Sequence, residues 1–175
     1  MNTNSDYVKK IVTTALFTAM TCVATMIIQI PSPMSGYVNL GDCLVLLSAW
    51  TLGPIYGACS AGIGSAMADI LTGYAYYAPG TLLIKTLMAF TAGMIAQKAR
   101  KNEKASFLPQ LTGSVLAETI MTGGYFCYAA LLLGRGLAAA ASIPGNIVQG
   151  IFGAAAALLL SQVFEKSRVL SHLNI

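Results

Sequence analysis

Residues 40–73 read LGDCLVLLSAWTLGPIYGACSAGIGSAMADILTG, and the number of times they cross an apolar layer decides the fold of the whole chain. Gly53-Pro54 divides the stretch. A proline inside a helix removes one backbone donor and clashes with the preceding turn, so it stops or kinks the helix. Read as a stop, the dipeptide leaves two apolar segments at about 40–53 and 55–72. Read as a kink, it leaves one long segment. Each half is short for a full crossing, which takes about 20 residues through a hydrocarbon core about 30 Å thick.

The flanking sequence weighs on that choice. Four more apolar segments lie at about 9–30, 79–97, 107–133 and 143–165, separated by polar or Pro/Gly breaks such as Pro31-Ser32-Pro33. Pro79 and Pro144 stand where a first helical turn tolerates proline. Eight of the ten Lys and Arg fall at Lys9, Lys10, Lys98, Arg100, Lys101, Lys104, Lys166 and Arg168. With six segments all eight lie on one side, which the positive-inside rule makes the cytoplasm. With five segments they split across the membrane. The expectation is an all-α integral membrane protein, a single domain over 1–175, with six transmembrane helices and cytoplasmic N- and C-termini. The outward loops are then about 31–39, 73–78 and 134–142. The first segment has no small-residue cleavage site before Pro31 and reads as a retained helix rather than a signal peptide.

Composition narrows the function. Hydrophobic residues make up 56% of the chain and charged residues 9%, against about 25% charged in a soluble domain. A soluble enzyme is close to excluded, and the long continuous segments do not resemble the alternating strands of about ten residues in a membrane barrel. The one histidine, His172, sits in the polar tail, so no Ser/His/Asp or Cys/His set can form. Cys22, Cys43, Cys59 and Cys127 lie inside apolar segments, where cysteine behaves as a small hydrophobe, and their spacing matches no metal motif. Around Gly80 to Thr86 the glycine that a phosphate loop needs before its lysine is missing. No catalysis, metal, cofactor or nucleic-acid partner is expected.

Charges inside membrane segments cost about 2.5–3.5 kcal/mol each on insertion scales, so each needs a partner or a wet cavity. Asp42, Asp69 and Lys85 converge on the outer half, and Glu118 lies near the middle of the fifth segment. Asn39, Tyr74, Tyr76, Tyr77, Tyr125 and Tyr128 gather at the outer level. Asn146 and Gln149, three apart, share a helical face. Aromatic rings, amides and a few charges in one concavity suit a small polar aromatic ligand. Plainer readings stand beside this one. The tyrosines also fit an interfacial belt, Asp69 and Lys85 an ion pair, and Asp42 a helix cap. Glu118 reads either as a ligand contact or as a protonated buried acid.

Several motifs together resemble the substrate-binding S components of energy-coupling factor (ECF) vitamin transporters, in particular the riboflavin-transporter-like group. They are Ala15-x-x-x-Ala19, Gly41-Asp42, Leu52-Gly53-Pro54-x-x-Gly57, Gly62-x-Gly64-Ser65-x-x-x-Asp69, Tyr77-x-Pro79-Gly80-Thr81-x-x-x-Lys85 and Pro144-x-Asn146-x-x-Gln149-Gly150. The resemblance implies a multi-pass protein of a prokaryotic plasma membrane that captures a vitamin or precursor from outside. It also implies a transmembrane coupling protein (T component) and two ABC-type ATPases as partners. The implied substrate site takes in Asn39, Asp69, Tyr74, Lys85, Glu118, Tyr125, Tyr128, Asn146 and Gln149. The implied docking pair is Ala15 and Ala19. A hydroxymethylpyrimidine- or pyridoxine-like substrate fits better than riboflavin, because Trp50 reads as mid-membrane and no large aromatic box is present. The rival reading is an autonomous secondary transporter that uses Glu118 for proton coupling, although no inverted repeat is visible.

The docking pair generates a test. Ala15 and Ala19 share one helix face, and small residues allow close helix approach in lipid. Ala15→Trp and Ala19→Trp are expected to retain vitamin binding by the isolated chain and to lose co-purification with the coupling protein. Intact complexes from both variants would contradict the assignment.

Overall fold

A computed structural model describes residues 3–32, 36–101 and 107–166. Lys104, Arg168, His172 and part of the 31–39 loop lie outside the described residues. Five α-helices carry the fold: α1 Thr3–Ile27, α2 Gly41–Leu71, α3 Ala78–Lys101, α4 Phe107–Cys127 and α5 Ile143–Lys166. Between α1 and α2 the chain forms a short antiparallel hairpin, β1 Gln29–Ser32 and β2 Gly36–Asn39, with Ile30 opposite Val38. The first helix was expected to reach residue 30. It stops at Ile27 because Pro31 and Pro33 favour extended backbone in the residues before them. After α4 a π-turn, Tyr128–Leu132, and a 3₁₀ turn, Gly136–Ser142, lead into α5.

Among the described residues five helices, not six, are long and apolar enough to cross a membrane. The difference from the sequence expectation lies in α2, which runs through Gly53-Pro54 yet is not straight. Gly53 has φ 81° and ψ −179°, a backbone state that glycine enters without steric penalty. The chain folds back there. A Cβ placed on Gly57 would lie 2.6 Å from the Ala49 Cα, whereas a straight helix would separate these residues by about 12 Å. Both ends of α2 consequently reach the same level: Asp42 pairs with Lys85, and Asp69 lines a cavity that Lys85 also lines. A straight helix would hold the two aspartates about 40 Å apart.

Two contacts fix the turn. Pro54 has no N–H, so the Trp50 carbonyl loses the donor four residues ahead that a helix would provide. Arg100 supplies a replacement, donating from Nη2 to Trp50 O at 2.6 Å. Gly93 of α3 lets the turn approach, since a Cβ there would lie 2.7 Å from Pro54 Cα. Trp50 therefore sits beside the turn, at the end of its segment.

The folded α2 forms the centre of the bundle and packs chiefly on α3 and α1. Gly62 faces Leu82 of α3, and Gly64 lies against Thr18 and Thr21 of α1. Burial follows the same plan: 67% of the most apolar stretch of α2 is buried, against 17% for α1. A peripheral α1 leaves Leu16, Met20 and Val23 exposed, as a lipid-facing helix requires. Thr13, Thr14, Thr18 and Thr25 donate to carbonyls four residues back, which satisfies their hydroxyls within the helix.

Gly93→Ala is expected to lower the thermal midpoint of the purified protein, with a cost of about 1–3 kcal/mol as for other overpacked sites. Gly123→Ala, where nothing lies within 4 Å, should be neutral or stabilising because alanine is the better helix former. Equal midpoints for the two variants would contradict the close approach at Pro54.

Candidate functional site

Elements distant in sequence meet at Lys85. Its side chain is 2% exposed, and its Nζ donates to Asp42 Oδ1 at the start of α2. The other Asp42 oxygen accepts from Gln149 Nε2 of α5 at 2.6 Å. Gln149 Oε1 in turn accepts from the backbone N of Asn39 at 2.9 Å, and Asn39 Oδ1 accepts from Gly41 N at 2.8 Å. Met121 of α4 brings its sulfur to Lys85 and Gln149, at 3.2 and 3.4 Å. One buried charge pair thereby ties α2, α3 and α5 to the hairpin. Asp42 stands in the first turn of α2, and its carboxylate turns inward to Lys85 and Gln149. Lys85 takes Asp42, not Asp69, as its partner.

Next to this network lies a cavity of about 40 Å³. Six residues expected at the site line it: Asn39, Asp69, Lys85, Tyr125, Asn146 and Gln149. Tyr37, in the 31–39 loop that the resemblance assigns to the site, and Tyr77, one of the outer tyrosines, line it too, as do Thr25, Ser65, Thr81 and Ser142, which the sequence reading did not select as site residues. Ser65 and Thr81 each stand four residues before a chosen charge, Asp69 and Lys85, so the i,i+4 spacing was the available signal. Tyr37 lay in the expected outward loop, with nothing to mark its direction.

The polar atoms around the cavity are unevenly satisfied. Tyr37 Oη donates to Asp69 Oδ1 at 2.5 Å. Burial, and then the Asp69 carboxylate, hold the Tyr37 hydroxyl well above its ordinary pKa, so it remains a donor. Tyr125 Oη donates to Thr81 Oγ1 at 3.1 Å, and Lys85 Nζ lies 5.6 Å from the Tyr125 ring centroid. Asp69 Oδ2 and Ser65 Oγ have no hydrogen-bond partner among the described residues. They stand one helical turn apart. Buried polar atoms are rarely left so, and each such atom calls for an explanation. Among the described residues the arrangement holds donors, acceptors and aromatic faces but no nucleophilic Ser or Cys paired with a His. It is suited to binding and not to reaction.

Other expected residues lie outside the cavity lining. Tyr74 packs against Tyr37 with ring centroids 4.7 Å apart and planes tilted by 56°, and Tyr128 donates to Tyr76 O at 2.8 Å. Both brace the wall from outside. Glu118 lies along a groove of about 620 Å³ between α4 and α5, and neither of its oxygens has a hydrogen-bond partner among the described residues. Ala15 and Ala19 are exposed on α1.

Comparison with known proteins places the fold in a family. The family model for the ECF-type riboflavin transporter, S component, matches residues 5–166. An uncharacterized protein of Pyrococcus woesei is 36% identical over 132 residues, covering 75% of this chain and 84% of that protein. The thiamine precursor transporter HmpT of Lactococcus lactis is 28% identical over 166 residues, covering 94% and 92%. A solved S component of a bacterial ECF transporter shares the fold, with a TM-score of 0.67 and 23% identity over 91% of this chain and 97% of that one. With five long apolar helices and a family match over nearly its full length, this chain belongs to the ECF transporter S component family, as a substrate-binding membrane subunit rather than an enzyme.

Proposed function

We propose that this chain captures a small heteroaromatic vitamin precursor, of the hydroxymethylpyrimidine or pyridoxine type, in the cavity beside Lys85. The observation that carries the reading is the pair of unpartnered oxygens, Ser65 Oγ and Asp69 Oδ2, on residues that line a cavity together with Tyr37, Tyr77 and Tyr125. Together they suit a flat ligand with hydrogen-bond donors along one edge, stacked against rings. Asn146, buried in the same wall, offers both a donor and an acceptor. A volume of about 40 Å³ accommodates about three waters at roughly 10–15 Å³ each. A three-ring flavin would have to part the walls much further than a single ring. The thiamine-precursor relative supports the same choice.

In this reading the backbone crosses a prokaryotic plasma membrane six times, the two halves of α2 counting separately, with both termini cytoplasmic. The return of α2 at Gly53 supports that count, because it keeps Lys10 and Arg100 at one end and the tyrosine-rich cavity at the other. The cavity then faces outward. Transport relies on a T component and two ABC-type ATPases, and the exposed Ala15–Ala19 face of α1 is the docking surface for the coupling protein. Glu118 lines the α4–α5 groove rather than this cavity.

Calorimetric titration with hydroxymethylpyrimidine tests the site. The wild-type chain should bind one equivalent. Asp69→Asn and Asn146→Ala should each weaken binding about tenfold to a hundredfold, the range for losing a hydrogen bond that involves a charged or buried group. Unchanged affinity in both variants, with the wild type binding, would remove these residues from the site.

A further inference from the structure

A second cavity, of about 140 Å³, lies at the opposite end of the bundle beside the Gly53 turn. Lys10 of α1 and Gln97 and Arg100 of α3 line it, together with the last residues before the turn, Trp50 among them. Among the described residues no carboxylate lines it. Arg100 gives one N–H to Trp50 O, and a guanidinium has five, so donors remain. The Trp50 side chain is 3% exposed, and its Nε1 finds no acceptor among the described residues. A buried indole N–H left unpaired is costly and points to an absent acceptor.

The local charge balance has the same sense. The carbonyl end of the segment before Gly53 contributes about half a negative charge, whereas Lys10 and Arg100 bring two whole positive ones. The cavity is rich in donors, positive in sum and able to contain a small polar group. We propose that it binds a phosphate group, the phosphodiester of an anionic membrane lipid or a free phosphate of the same chemistry. A site of this kind at the basic end of a bundle fits lipid recognition, because anionic headgroups collect against basic residues at the membrane surface. It is separate from the vitamin cavity and uses none of its residues.

Trp50 is the chain's single tryptophan, so its fluorescence reports on this cavity directly. The full chain in neutral detergent is titrated with short-chain phosphatidylglycerol, with phosphatidylcholine of equal chain length, and with inorganic phosphate. A saturable change in Trp50 emission with phosphatidylglycerol, and none with phosphatidylcholine, is expected. Lys10→Gln should weaken the response at least fivefold, and Lys10→Arg should keep it. An equal response to inorganic phosphate would support the site and identify the free anion as sufficient. No saturable change with either anion, or an undiminished one in Lys10→Gln, would overturn the proposal.

Discussion

A lysine ammonium held at 2% exposure inside an apolar bundle is tenable only beside a counter-charge, and Asp42 provides it. Desolvating two ions costs several kcal/mol each, which their attraction offsets only when the geometry is good and the remaining polar atoms are satisfied. The second requirement brings in Gln149 for the other Asp42 oxygen, and Asn39 for the far side of Gln149. Much of the architecture follows. The start of α2 has to stand level with Lys85, the hairpin has to lie over α5, and α2 has to reverse at Gly53 if Asp69 is to reach the same level.

The reversal is an answer to a backbone shortage. Proline deletes a donor in a setting where lipid offers none, and every orphaned carbonyl then needs a partner from within the protein. Arg100 meets that need from α3, and Gly93 makes room for the turn. Gly53-Pro54 was legible in the sequence as a boundary. Whether it acted as a stop or a kink was not, because the deciding contacts come from residues some forty positions away.

Depth was legible for most of the site, and azimuth was not. Hydropathy and charge position put Asp42, Asp69 and Lys85 at one level, but level alone could not say which carboxylate faces the lysine. The same limit explains Glu118: its buried setting was readable, its place among the residues lining the α4–α5 groove was not. Ser65 and Thr81 were within reach, one turn from Asp69 and Lys85. Tyr37 depended on a hairpin that its flanking prolines hardly announce. The family resemblance rested on motif order along the chain, which survives even where individual contacts differ from expectation. On the proposed reading the two ends of the molecule carry different tasks, ligand capture among the tyrosines and backbone repair among the basic residues.

A double-mutant cycle across the central pair tests this account most directly. Thermal midpoints would be measured for Asp42→Asn, Lys85→Met and the double variant. The account predicts that Lys85→Met, which leaves a buried carboxylate uncompensated, costs about 3–5 kcal/mol, and that the double variant recovers a large part of the loss. Additive losses, or a Lys85→Met protein as stable as the wild type, would contradict the claim that this pair organises the site.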